Sequence, residues 1–219
     1  DDHDWDLTQV TPVLKAGVDG VSRDMVATVG KDGILRTLDK RTHQPLYETP
    51  ITTILNADIP VTREGVVACP GVTGGVLWSS PAYHPGEKIL LTSSIDYCSR
   101  FRAAGDVRFI PGQLYMGGDA RHEGDMSGWI TAVDVESGET RWKHQTEFPN
   151  VAAVTTTAGG LAISGTLAGD LLFFDVATGE VLNSIATGAQ IGGGNISYAV
   201  DGKQHIAVGS GRGMLTIRP

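Results

Sequence analysis

Gly128-Trp129-Ile130-Thr131-Ala132-Val133-Asp134, continued by Val135-Glu136-Ser137-Gly138, is the stretch on which the fold turns. It reads as a glycine, a short strand, and an aspartate that opens a turn, because an Asp side chain there can accept N–H bonds from the residues that follow. Glu139-Thr140-Arg141-Trp142 then leaves as a second strand. The pattern recurs at Gly169-Asp170-Leu171-Leu172-Phe173-Phe174-Asp175, followed by Val176-Ala177-Thr178-Gly179. It also appears at Gly33-Ile34-Leu35-Arg36-Thr37-Leu38-Asp39, followed by Lys40-Arg41-Thr42. A fourth copy starts at Gly213-Met214-Leu215-Thr216-Ile217 and meets Pro219 where the aspartate would fall.

Gly128 and Gly169 are 41 residues apart, the spacing of β-propeller blades at ~40–45 residues each. Gly33 and Gly128 are 95 apart, which predicts about two blade-lengths, one of them degenerate or carrying an insertion. Further β-rich runs lie at 26–29, 89–92, 161–164 and 206–208, separated by Gly, Asp, Thr and Pro, and no long stretch has helical periodicity. The expected fold is all-β: four-stranded antiparallel propeller blades, roughly five or fewer. A propeller closes on itself. An open arc leaves two sheet faces exposed, so either the chain is incomplete or a partner supplies the rest. The competing fold is a small complete β-sandwich.

Composition narrows the function. The 219 residues carry 17 Lys and Arg against 25 Asp and Glu, a formal net charge of −8, which argues against a nucleic-acid partner. No apolar run approaches the ~20 residues that span a bilayer. Cys69 and Cys98 are the two cysteines, compatible with one disulfide in an oxidising compartment or with two buried thiols. The acid-rich start, Asp1-Asp2-His3-Asp4-Trp5-Asp6, reads as a chain that begins in the middle of something. His84, His122, His144 and His205 have no metal-ligand spacing, and there is no C-x-x-C-H haem site.

Asp134 to Trp142 is similar to the tryptophan-docking motif of quinoprotein propellers. Three further segments, in the same order, resemble the pyrroloquinoline quinone (PQQ)-dependent alcohol and methanol dehydrogenases. These are His3-Asp4-Trp5-Asp6, Val29-Gly30-Lys31-Asp32-Gly33, and Cys69-Pro70-Gly71-Val72-Thr73-Gly74 running on to Trp78. With the tail from Ala158 to Val208, the resemblance covers nearly the whole chain. It implies about half of an eight-bladed propeller, residues 1–219 forming a single partial domain whose N-terminal blades are absent. It also implies a periplasmic bacterial enzyme oxidising a small alcohol with PQQ and Ca²⁺, and passing electrons to an acceptor such as a cytochrome c. Asp6 takes the place of the catalytic base and a metal contact. Lys31, Trp78 and Asn150 take cofactor-facing places, and Cys98, 29 residues beyond Cys69, takes the place of its disulfide partner.

Each residue also has a plainer reading. Asp4 and Asp6 share one face of an extended segment, and form a carboxylate pair, a cation site or a solvated acidic end. Lys31 could be a solvated turn lysine, Trp78 a blade-packing residue and Asn150 a turn residue after Pro149. Thr8 stands where lanthanide-dependent members have a further aspartate, so the resemblance implies Ca²⁺. Leu77 departs from an amide common in the family, and Ala152-Ala153 from a Gly-Gly. The remaining metal and quinone ligands of the family lie N-terminal to the base, so the chain alone is expected to be inactive, with exposed blade edges that invite association with the missing blades or a second chain. Two other readings are a non-catalytic propeller scaffold and a sugar-oxidising quinoprotein, the latter disfavoured because it usually relies on a histidine base.

Overall fold

The computed structural model describes residues 2–7, 9–106 and 108–218, so the reading of Thr8 lies outside the described residues. The described chain is all-β, with sixteen strands and every pairing antiparallel. Blade 1 is β1 (Val13–Val18), β2 (Val21–Val29), β3 (Ile34–Asp39) and β4 (Pro45–Pro50), in that spatial order. Blade 2 holds β5 (Val66–Ala68), β6 (Ala82–His84), β7 (Ile89–Ala103), β8 (Gly118–Asp134) and β9 (Thr140–Thr146). Blade 3 is β10 (Thr155–Thr156), β11 (Leu161–Gly165), β12 (Asp170–Asp175) and β13 (Val181–Ala186). Blade 4 has three strands, β14 (Asn195–Val200), β15 (Lys203–Ser210) and β16 (Gly213–Ile217). Four consecutive blades are what half of an eight-bladed propeller holds.

The interval between the first two sequence copies departs from expectation. Instead of two blade-lengths it contains a single blade boundary, because blade 2 is enlarged. Its first strand is split: β6 pairs with the start of β7, and β5 with the end of β7. Between them lies the loop 69–81. β7 and β8 run on past the blade as a long two-stranded arm.

Alternation along the strands joins the blades. Successive side chains of a strand point to opposite faces, so a blade packed on both sides needs a continuous apolar run. In β12, Leu172 and Phe174 join Ile89, Leu91 and Ile130 of blade 2. Leu171 and Phe173 turn the other way, to Ile206 and Val208 of blade 4. β7 does likewise: Ile89 and Leu91 face blade 3 while Leu90 packs with Met25 and Leu35 of blade 1. Leu171 and Phe174 are fully buried, and each such side chain contributes about 1.5–3 kcal/mol.

At the rim the repeated turns form as read. Asp39 Oδ1 accepts from the N–H groups of Arg41 and Thr42, Asp134 Oδ1 from Glu136 and Ser137, and Asp175 Oδ1 from Ala177 and Thr178, all at 2.9–3.0 Å. The turns of blades 2 and 3 each receive a further contact from the preceding blade. Trp142 Nε1 donates to the Val176 carbonyl at 3.1 Å, and Tyr47 Oη to the Val135 carbonyl at 3.0 Å.

Candidate active site

The N-terminal segment has no strand of its own, yet it is tightly held. Asp2 accepts the Val61 N–H at 2.7 Å, and this bond is the main cause holding its carboxyl below the usual aspartate range. His3 is buried, stacked on Trp5 with ring centroids 4.4 Å apart and edge-on to Phe101 at 5.0 Å. Further on, Gln9 Nε2 donates to the Val76 carbonyl at 2.8 Å.

Lys31 sits in the tight turn between β2 and β3. Its N–H donates to the Asp6 carbonyl at 3.3 Å, and its own carbonyl accepts from Gly75 at 2.7 Å. Gly74, at φ 85°, lies flat against it: a Cβ there would come within 2.6 Å of Lys31 Cα, so only glycine fits both the backbone and the space. Asp6 and Gln9, the turn 30–31 and the segment 74–76 are thereby interlocked.

Within that frame the Lys31 ammonium donates to Asp4 Oδ2 at 2.8 Å and to Asp6 Oδ2 at 3.3 Å. The lysine side chain is 16% exposed, whereas the two carboxylates are about half exposed, at 49% and 54%. Burial pulls the lysine pKa down, but the hydrogen bonds and charges of Asp4 and Asp6 outweigh it and leave it raised above the ordinary lysine value. Lys31 is thus a fixed cation at neutral pH, with the two carboxylates facing solvent. Of the pair, Asp4 is the closer partner, and it takes its place through a left-handed backbone at φ 63°. No local pattern signals that bend.

Trp78 and Asn150 belong to a second group. Leu77 and Val151, their chain neighbours, pack with Ile95, Tyr97 and Leu167 in one small cluster, and Ser79 Oγ donates to the Val151 carbonyl at 3.3 Å. Trp78 is 70% exposed at φ 59°, an outlier for a bulky side chain. Its ring is thus mostly open to solvent in this chain. Asn150 is the reverse: it is buried, and neither its side-chain oxygen nor its nitrogen has a hydrogen-bond partner. Leaving such an amide unpaired costs about 1–3 kcal/mol, a cost that a ligand's polar atoms would relieve. The segment 74–79 connects the two groups.

The loop that carries them is pinned at its base. Cys69 and Cys98 form a disulfide, Cys69 exchanges backbone bonds with Leu55, and the Cys69-Pro70 peptide is cis. Asp96, which sequence reading does not single out, anchors the opposite side. It accepts from Trp129 Nε1 at 2.6 Å and from the Thr53 N–H at 3.1 Å. Burial raises its pKa, but these bonds prevail and the net shift is downward. Thr52, beside it, donates to the Ile95 carbonyl at 3.0 Å.

Comparison with known proteins gives this geometry its context. No family model matches the chain. It is 28% identical over 217 residues to lupanine 17-hydroxylase [cytochrome c] of a Pseudomonas species, covering 90% of this chain and 31% of the relative. It is also 28% identical over 234 residues to the lanthanide-dependent methanol dehydrogenase of Methylacidiphilum fumariolicum, covering 95% and 38%. Its fold matches a quinohemoprotein alcohol dehydrogenase of Pseudomonas putida with a TM-score of 0.86 at 17% identity, over 96% of this chain and 36% of that one. The proteins it is similar to over nearly its whole length are thus quinoprotein alcohol and methanol dehydrogenases. It spans about a third of the length of the curated relatives it matches.

The residues present fit the quinone that names these dehydrogenases. The Lys31 ammonium, shared with Asp4 and Asp6, and the buried unpaired Asn150 amide offer hydrogen-bond donors suited to an oxygen-rich ring system. For a metal the fit is partial: among the described residues no three His, Cys, Asp or Glu side chains converge on one point, so the Asp6 carboxylate offers one ligand of a set.

Proposed function

We propose that this chain is the part of a PQQ-dependent alcohol dehydrogenase that carries the catalytic base and one wall of the cofactor pocket, in a single partial propeller domain. The observation that supports this best is the Lys31 ammonium, held between Asp4 and Asp6 by segments distant in sequence. In this reading the Asp6 carboxylate accepts the proton of the substrate hydroxyl, as a base within hydrogen-bond reach can. Lys31 orients that carboxylate and places a positive charge beside oxygens that become negative as they are reduced. Asn150 supplies an amide to the cofactor edge, and Trp78 an aromatic face. When bound, PQQ accepts the hydride, and a divalent ion, Ca²⁺ by the resemblance, acts as Lewis acid with Asp6 among its ligands. The natural setting of this reading is the bacterial periplasm, with a small alcohol as substrate and a cytochrome c as electron acceptor.

The test is a native mass spectrum of the protein as isolated from its source, with and without a chelator. PQQ together with a chelatable metal is the expected result, and Asp6→Asn should then abolish dye-linked alcohol oxidation while PQQ stays bound. A lone 23.1 kDa chain with neither ligand would favour the scaffold reading instead.

A further inference from the structure

Beside the carboxylate pair lies a cavity of about 420 Å³ that opens to solvent. Its volume falls within the ~300–1,000 Å³ range of small-molecule sites. Its apolar lining comes from Val61, Val72 and Phe101 and from Tyr115 and Met116 of the connection between β7 and β8. Phe101 is buried, whereas Tyr115 and Met116 are 50% and 53% exposed. Met116 and its neighbours thus present apolar surface to water at the mouth of the cavity, a cost that an apolar occupant would remove. One wall is Asp4, whose carboxylate shares the Lys31 ammonium with Asp6. The cavity and the proposed base are therefore separated by a single ion-paired group. Asp2 and Asp119 also line it, with Arg102 as the opposing cation, so carboxylates outnumber cations along its polar edge.

We infer that this cavity takes the body of the substrate: a bulky apolar alcohol, neutral or cationic, whose hydroxyl is presented to Asp6. The inference rests on the alcohol-oxidising reading above and narrows it. A one- or two-carbon alcohol would leave the cavity almost empty, and an aromatic hydroxy acid would set its carboxylate against Asp2 and Asp4.

Saturation-transfer NMR on the full chain tests the binding, with benzyl alcohol, ethanol and 4-(hydroxymethyl)benzoate as probes. Benzyl alcohol should give signal transfer where ethanol and the benzoate give none. Met116→Trp and Ala120→Phe, two lining positions at which a larger side chain would take up cavity volume, should each weaken benzyl alcohol at least tenfold, with folding checked by thermal melts. Unchanged binding in whichever variant folds, or equal binding of ethanol, overturns the inference. In the protein as isolated from its source, Met116→Trp should lower the ratio of kcat/KM for benzyl alcohol over ethanol at least tenfold, and an unchanged ratio again overturns it. Failure of the parent reading looks different: benzyl alcohol still binds and Met116→Trp still displaces it, but no alcohol reduces the dye.

Discussion

Two joints at the rim are built alike, and two positions equivalent to them are not used as joints. Trp142 of blade 2 lies against Gly179 in the turn of blade 3, and Tyr47 of blade 1 lies against Gly138 in the turn of blade 2. Both glycines have left-handed backbones, at φ 75° and 77°. The turn of blade 1 has the same conformation at φ 62°, but its residue is His43, exposed and receiving no ring. Blade 3 in turn has the exposed Asn183 where the ring would stand. The comparison separates two demands usually merged in a turn glycine. The left-handed backbone alone tolerates a histidine, whereas a left-handed backbone lying under an aromatic ring does not tolerate any Cβ.

Substitution at the glycine should show the largest difference. A Cβ at Gly179 would lie 2.5 Å from Trp142 Cδ2, so Gly179→Ala adds an overlap to the conformational penalty. Together these should cost about 3 kcal/mol, read as a lower urea midpoint with an unchanged slope. Gly138→Ala should behave the same way against Tyr47. His43→Ala, at the turn with no ring, should change stability by less than about 0.5 kcal/mol. Equal losses at all three turns would mean that the backbone, not the ring, demands the glycine.

The same contrast explains what could be read from the sequence. The rim turns are local: an aspartate and its N–H donors fall in one short window that occurs three times, with a ring eight residues on in the first two copies. The arm of blade 2 is invisible to that reading. Its β8 half, Gly118 to Ser127, is mostly exposed, so it has no buried face to impose alternation, and it is held by cross-strand pairs such as Arg100 with Glu123. The site lies between these extremes. Asp6 and Lys31 stand out through family resemblance, and the geometry brings them together. That Asp4 is the nearer partner depends on a left-handed bend, and that Asn150 is buried depends on blades remote in sequence.

Alkaline pH should distinguish the two joints without mutation. Burial pushes the Tyr47 hydroxyl up to about 12, from about 10 in an unfolded chain. An acid whose pKa is raised on folding contributes its full stability below the unfolded value and loses it as pH climbs through the folded one. The first joint should therefore weaken between about pH 10 and 12, by about 2 kcal/mol after allowance for partial exposure. Trp142 does not titrate in this window, and a Tyr47→Trp variant should lose most of that alkaline sensitivity. If the variant keeps it, the transition belongs to another group.

Tyr47→Phe removes the hydroxyl and leaves the ring on Gly138. The Val135 carbonyl loses its donor at 3.0 Å, which should cost about 1 kcal/mol, well below the glycine effect. A loss as large as that of Gly138→Ala would mean that the hydrogen bond, rather than ring packing, carries the joint.

The smallest expected effect runs in the opposite direction. His43 keeps a left-handed backbone that histidine adopts more readily than bulkier residues, at a conformational cost that glycine avoids. His43→Gly should thus stabilise the chain by about 0.5 kcal/mol, the relief of the backbone exceeding the added freedom of the unfolded chain. The size of this gain also reports on the outer face of blade 1. If another blade's ring lies on this turn in the whole protein, His43 would have to move aside and glycine would give a gain closer to that of removing a clash, about 2 kcal/mol. A thermal melt of His43→Gly in the chain alone and in the protein isolated from its source would therefore show whether this turn is a free end or a third joint.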